Sequence, residues 1–269
     1  MEAFLTDAWR MWLGELTPTL TRYAFFAIGV WLALWVMLAG LLRNRKIREA
    51  SPPPRQLLTE FLISLRSMAI FATFGVLITL AARAGFYPLA DLGTQWGFWW
   101  LIASIVIGIV AHDAYFYWVH RLMHDPRWFR RTHRRHHKSH NPSPFTAYSF
   151  DVSEALLMLA FSVIYPLVFP MHWEAMQWIM LHQIVRNTFQ HCGYELMPAR
   201  ADGRPWLDFI ATTTHHDLHH AQAGYNYAAW FTWWDRWMGT EHPEYLERYG
   251  KAAVRLSLRP QDAVGIPAE

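Results

Sequence analysis

The stretch AFFAIGVWLALWVMLAGLL, residues 24–42, contains no charged side chain. A helix rises 1.5 Å per residue, so about 19 residues cover roughly 30 Å, the hydrocarbon thickness of a bilayer. Residues 61–82 form a second run of this kind, broken only by Arg66. A third opens at residue 98 and continues to Val119. Residues 151–170 and 174–189 are less purely apolar and suit a helical hairpin that dips into the membrane. The mean hydropathy of +0.04 fits a membrane base carrying a polar cap better than a bare bundle of spans.

Residues 1–16 lack the basic start and cleavage site of a signal peptide. Leu5, Trp9, Trp12, Leu13 and Leu16 share one helical face, which predicts an interfacial helix. Cys192 is the single cysteine, so no intrachain disulfide forms and the redox compartment stays open. The net charge of +3 hides two basic clusters, RNRKIR (43–48) after the first run and RWFRRTHRRHHK (127–138) after the third. Two spans separate them, so both lie on one side, and the positive-inside rule makes that side cytoplasmic. A multi-pass protein of a bacterial inner membrane or the endoplasmic reticulum is expected. Basic flanks are ordinary in membrane proteins, so nucleic acid is not an expected partner. The chain shows no internal repeat, and SPPP (51–54) marks a break between spans. One integrated domain is expected: residues 1–97 as N-terminal helix and two spans, 98–258 as a histidine-rich region, and 259–269 as a loose tail.

The chain holds 15 histidines. His120 and His124 stand four apart in HRLMH. His133, His136, His137 and His140 follow the i, i+3, i+4, i+7 pattern of one helix face, ended by PSP (142–144). His216, His219 and His220 repeat i, i+3, i+4 in HDLHH, and Asn187 and His191 stand four apart in NTFQH. Charged imidazolium rings packed this closely would repel, whereas neutral rings share metal ions. Imidazole suits iron, zinc and copper. One ion takes three or four protein ligands. Three groups plus His191 therefore suffice for two ions. Alone, HRLMH reads as a chance pair and HRRHH as a basic solvated face; three groups on one membrane side favour a polymetal site. His112, His172, His182 and His242 read as polar or interfacial residues. His140 and His215 fit either a ligand or a ligand's partner. Arg131, Arg134, Arg135 and Lys138 fall between the second group's histidines and point toward anionic headgroups.

Asp113 lies seven residues before His120 on the same helical face and is expected to accept a ring N–H. A carboxylate at membrane depth is costly, which marks it as functional. Glu154 and Asp217 are further candidates. Tyr115, Tyr117, Trp178 and Phe189 read as interior helix packing. The rival to redox chemistry is a redox-silent zinc protein, and the lack of an HExxH motif counts against a zinc hydrolase. No CxxC, CxxCH or Gly-rich dinucleotide motif is present, so electrons are expected from outside the chain.

HRLMH, HRRHH and HDLHH resemble the HxxxH, HxxHH and HxxHH boxes of the fatty acid hydroxylase/sterol desaturase superfamily, membrane-bound di-iron oxygenases. DAYFYWVHRLMH resembles the entry to the first box, and HHKSHNPSPFTAYSFDVSEAL the stretch after the second. TTTHHDLHHAQAGYNYAAWFTWWDRWMGT resembles the third box with its Trp-Asp and Gly-Thr tail. The match spans residues 97–240, about half of the chain. The resemblance implies an all-α, multi-pass transmembrane bundle of three to four spans plus a membrane hairpin, with a cytoplasmic helical cap holding a dimetal site. It implies two iron ions, which zinc can replace, with O2 as cosubstrate. It implies hydroxylation of a fatty acyl, sterol or related lipid, or desaturation by the same centre. The two electrons come from a separate reductase, ferredoxin or cytochrome. The implied ligands are His120, His124, His133, His136, His137, His191, His216, His219 and His220, with Asp113 beside them in the catalytic set. Some relatives have histidine where this chain has Asn187. Its amide oxygen then binds a metal weakly or holds a metal-bound water.

Overall fold

The computed structural model describes residues 2–254. Within them ten α-helices are joined by turns and single-turn 3-10 segments, with no β-strand among the described residues. The expected tail, residues 259–269, lies outside the described residues.

Three helices have the length and composition to cross a membrane: Thr6–Met37, Pro54–Arg83 and Phe98–Met123. Only 22% of each apolar window is buried, so most of each faces outward, as lipid contact requires. The first begins as α1 (Glu2–Trp31) and finishes as a π-helical turn, Leu32–Met37. The stretch expected as an interfacial helix, residues 1–16, is continuous with it from Glu2. Trp12 Nε1 donates to Thr73 Oγ1 at 3.0 Å and Thr79 Oγ1 donates to Glu15 Oε1 at 3.3 Å, so this N-terminal half packs along α2 (Pro54–Arg83). Pro18 does not break it; Thr19 Oγ1 donates to Glu15 O at 2.7 Å. The Arg66 guanidinium donates to the Phe150 carbonyl.

A short helix α3 (Pro88–Thr94) fills the loop before α4 (Phe98–Met123). The expected hairpin is α6 (Val152–Val168) and α7 (Trp173–Gln190). A Cβ at Gly108 would lie 2.2 Å from Ile179 Cδ1, so glycine lets α4 approach α7 closely. Tyr115, Tyr117 and Phe189 pack inside as expected. Trp178 does not: it is 53% exposed, on the outer face of α7.

The cap grows from the end of α4. Asp125 caps α5 (Pro126–Thr132) by accepting from Arg127 N at 2.9 Å, and Pro126 takes the first helical position. The histidine-rich stretch then departs from expectation. Helix α5 stops at Thr132, and His136–Lys138 form one 3-10 turn, so His133 to His140 do not share one α-helical face. Competing bonds draw the chain aside. Arg135 N and Nε donate to Asp151 at 3.1 and 3.2 Å, and Ser139 Oγ donates to buried Glu60 at 2.5 Å. Arg131, Arg134 and Lys138 still point outward, while Arg135 is half-buried. Helices α8 (Thr213–Ala221), α9 (Trp233–Trp237) and α10 (Tyr245–Val254) complete the cap. The basic segment after α1 joins it: Ile47 N donates to Gly193 O at 3.0 Å, and Arg48 Nε donates to Asp217 at 2.7 Å. Both basic clusters therefore lie at the histidine end of the bundle.

Candidate metal centre

Helix α8 is too short to stand alone and is held at its N-terminus. Thr212 Oγ1 accepts from His215 N at 3.2 Å, while Glu195 accepts from Thr214 N and Oγ1 at 2.9 and 2.7 Å. That fixes His216, His219 and His220 on one face. The end of α4 supplies His120 and His124, the turn after α5 supplies His133, His136 and His137, and the end of α7 supplies His191.

These nine histidines form two groups, each able to hold a metal ion. His120, His124, His133, His137 and His219 make one, and His136, His191, His216 and His220 the other. The neighbours His136 and His137 enter different groups, as do His219 and His220, so the groups lie side by side; the His137 and His220 ring centroids are 5.0 Å apart. In the five-histidine group, Nε2 of His120 and His133 lie 2.9 Å apart, and His219 Nε2 lies 3.2 and 3.0 Å from those of His124 and His137. In the four-histidine group, His191 Nε2 lies 3.3, 2.9 and 3.2 Å from those of His136, His216 and His220.

The opposite ring nitrogens explain these contacts. His120 Nδ1 faces Tyr227 O at 2.7 Å, His219 Nδ1 faces Tyr225 O at 2.6 Å, and His191 Nδ1 faces Asn187 O at 2.7 Å. Carbonyl oxygens only accept, so Nδ1 carries the proton and each neutral ring directs an Nε2 lone pair inward. One lone pair on His191 cannot satisfy three neighbouring nitrogens, whereas a cation among them can. Nitrogens about 2.0–2.1 Å from one metal sit roughly 3.0–3.4 Å apart, close to the spacings observed. An all-imidazole donor set suits iron, zinc or copper.

Burial, then neighbouring imidazoles, push His133, His136, His137, His216 and His220 well below the ordinary histidine range. Burial pushes His219 down to about 4. These rings are neutral at physiological pH, the form that binds metal. The Nδ1 atoms of His136, His216 and His220 are buried with no hydrogen-bond partner among the described residues.

One expectation is corrected. Asp113 accepts no imidazole N–H: its carboxylate takes Trp230 N at 2.7 Å, Phe231 N at 3.3 Å and the indole Trp233 Nε1 at 3.0 Å, pinning the loop after the third box to α4. The carboxylate that meets a ring is buried Glu154, with Oε1 2.7 Å from His133 Nδ1. The Asn187 Nδ2 donates to Ala147 O at 2.5 Å. Its backbone carbonyl is what reaches His191. Asp217 pairs with Arg48 and touches no ring of either group. His140 is exposed, and His215 lies 3.5 Å from Asp235, both outside the groups. His112, His172, His182 and His242 also stay outside.

The carbonyls of Tyr225 and Tyr227 had no signal in residue type. Asn226 between them adopts φ 55, a left-handed conformation that asparagine tolerates. Its Nδ2 donates to His215 O at 2.8 Å, and its Oδ1 accepts from His242 N at 2.7 Å. Asp235 fixes the next turn by accepting from Tyr227 N and Ala228 N, each at 2.9 Å.

A half-open cleft, with about 90 Å³ of room for the centres of water-sized molecules, lies among α1, α2, α4, α6 and α7. Its lining is mostly apolar, with Met68, Phe71, Phe116, Phe150, Leu159 and Ile184. Two of its lining residues touch the histidine groups: the Phe116 ring is 4.9 Å from His120 and the Phe150 ring 5.6 Å from His136.

Residues 105–240 match the family model described as fatty acid hydroxylase. The chain belongs to the fatty acid hydroxylase family. It is an enzyme of the oxidoreductase class that this family comprises. It is 30% identical over 207 residues to a provisionally named methylsterol monooxygenase of Dictyostelium discoideum, covering 75% of this chain and 71% of that one. It is 28% identical over 198 residues to lathosterol oxidase of Homo sapiens, covering 72% of this chain and 64% of the human enzyme. A methylsterol monooxygenase of Aspergillus fumigatus is 26% identical over 274 residues, covering 91% of this chain and 86% of that one. No solved structure matches.

Proposed function

We propose that this member of the family is an integral membrane di-iron monooxygenase that hydroxylates a lipid with O2 and two electrons. The observation that carries the reading is the convergence of two all-imidazole groups, in contact through Phe116 and Phe150 with a mostly apolar cleft set among the apolar helices. The nine histidines would hold two iron ions, with zinc able to replace them. Bound iron supplies redox chemistry that imidazole side chains lack.

The chain's own residues do the positioning. Carbonyls of Asn187, Tyr225 and Tyr227 hold three rings in the inward tautomer, and Glu154 holds a fourth and offsets charge. Mostly apolar walls suit contact with a lipid chain or ring system. Asp113 and Asp235 set the loop whose carbonyls the rings need. The sterol enzymes among the relatives support a lipid substrate. The basic clusters at the histidine end support a cytoplasmic active site, in a bacterial inner membrane or the endoplasmic reticulum. A separate reductase, ferredoxin or cytochrome delivers the electrons. The same centre supports desaturation when the substrate carbon is placed differently.

The test is expression in membranes supplied with a reductase, with lipid extracts analysed by mass spectrometry. A product heavier by one oxygen atom, dependent on O2 and on His219, is expected. No oxidised lipid from metal-loaded protein across fatty acyl and sterol substrates would contradict the reading.

A further inference from the structure

The cavity is not uniformly apolar. Gln183 lines it with its amide Nε2 buried and without a partner. His112 lines it too, and its Nδ1 lies 3.1 Å from Trp230 Nε1. An indole N–H only donates, so His112 Nδ1 accepts and Nε2 carries the proton. That Nε2–H finds no acceptor among the described residues. Ser162 adds a hydroxyl to the same lining, with no hydrogen bond among the described residues.

These groups share one level of the bundle. The His112 ring meets Phe161, the neighbour of Ser162, at 4.9 Å, while His112 and His182, the neighbour of Gln183, flank the Trp230 ring at 5.6 and 5.1 Å. Each also stands eight residues from a residue of the histidine centre on its own helix: His112 from His120, Ser162 from Glu154, Gln183 from His191. At 1.5 Å per residue, eight residues place that level about 12 Å from the centre on all three helices.

A plain hydrocarbon filling the cavity would leave these donors unsatisfied, a cost that an oxygen-bearing ligand removes. Taking the cavity as the lipid site proposed above, we propose that His112, Ser162 and Gln183 recognise one uncharged oxygen function. It is a hydroxyl or carbonyl, carried about 12 Å from the carbon that is oxidised. The substrate class is then a lipid with a neutral polar group remote from its reacting carbon, in preference to an unfunctionalised chain. The three side chains are specificity determinants and leave metal binding to the histidines.

The test uses the metal-loaded, full-length enzyme in detergent and two probes of equal chain length, hexadecanol and hexadecane. Equilibrium binding is measured and corrected for partition into micelles. The wild type is expected to bind the alcohol at least tenfold tighter, because a site built to hydrogen-bond an oxygen rejects the analogue that lacks it. Gln183→Leu combined with Ser162→Ala should reduce that ratio to within about threefold while hydrocarbon binding holds or improves. His112→Phe should act in the same direction. Equal binding of both probes by the wild type overturns the proposal, as does a double variant that keeps the preference. So does a double variant that loses both probes alike with its metal retained, since that reports lost shape. Metal content and lipid oxidation are measured on the same preparations. Failure of the di-iron reading appears there, and failure of oxygen recognition appears only in the ratio of the two affinities.

Discussion

Glu154→Gln is the substitution that isolates one interaction most cleanly. Glu154 is 1% exposed, its Oε1 lies 2.7 Å from His133 Nδ1, and its Oε2 is buried without a partner. Glutamine preserves the shape and leaves a carbonyl oxygen to accept the ring proton, so His133 keeps its orientation. What disappears is a carboxyl group that burial holds well above the ordinary carboxylate range and that a bound cation would draw to its anionic form, the only one in contact with a ring of the five-histidine group among the described residues. Loss of a carboxylate behind a ligating histidine typically weakens metal binding about 10–100-fold. That corresponds to roughly 1.4–2.7 kcal/mol. Glu154→Leu also leaves His133 Nδ1–H without an acceptor and should weaken binding further, by about 1–3 kcal/mol. The assay is chelator competition on metal-loaded protein, with elemental analysis of what remains. The first metal of the pair should leave at lower chelator concentration in Glu154→Gln, and the second should leave as in the wild type. Unchanged affinity for both metals, or equal weakening of both, would refute the assigned role.

Asp113→Asn should unfold at lower temperature, by the equivalent of about 2–4 kcal/mol, because an amide cannot accept all three N–H bonds that the carboxylate takes; an unchanged melting temperature in detergent would show that the loop needs no such anchor. Gly193→Ala should cost about 1–3 kcal/mol and loosen the metal held by the four-histidine group, since Gly193 has φ 78 and a Cβ there would lie 2.6 Å from the Trp35 ring, two residues after His191. Metal analysis and thermal melting on that one variant check both effects. Stability of the metal-free protein should be full above about pH 6.5 and decline as pH falls toward 4. His219, neutral in the fold down to about 4, takes up a proton near 6.5 once unfolded, and the other buried cap histidines are displaced in the same direction. Burial raises Asp235 to about 6 and lifts Glu60, Glu154, Glu195 and Asp217 in the same direction; these carboxyls work oppositely, but the displaced histidines outnumber them. A melting temperature that rises between pH 7 and pH 5 would reverse the assignment.

The spans and the hairpin were legible because lipid demands long apolar runs, and such runs survive in one dimension. All nine histidines that form the groups were legible from spacing and family resemblance. The spacing carried less about backbone than it suggested. An i, i+3, i+4 pattern holds in helix α8, yet the same pattern at His133, His136 and His137 is met by a turn and one 3-10 segment. Bonds to Asp151 and Glu60, distant in sequence, decided that difference. Asp113 is buried in α4 as its spacing from His120 suggested, but its carboxylate is taken by the loop 230–233 and meets no imidazole. Glu154 lies 21 residues from the histidine it holds, so only tertiary contact reveals the pair. The carbonyls of Tyr225 and Tyr227 left no trace in side-chain chemistry, because any residue type supplies a carbonyl.

The most direct test of the central claim is metal per chain, by elemental analysis of protein from iron-supplemented cells, with His219→Ala prepared in parallel. The account predicts close to two irons per chain, falling sharply in the variant. Folded wild-type protein that binds no transition metal, or a variant that keeps its full complement, would contradict it.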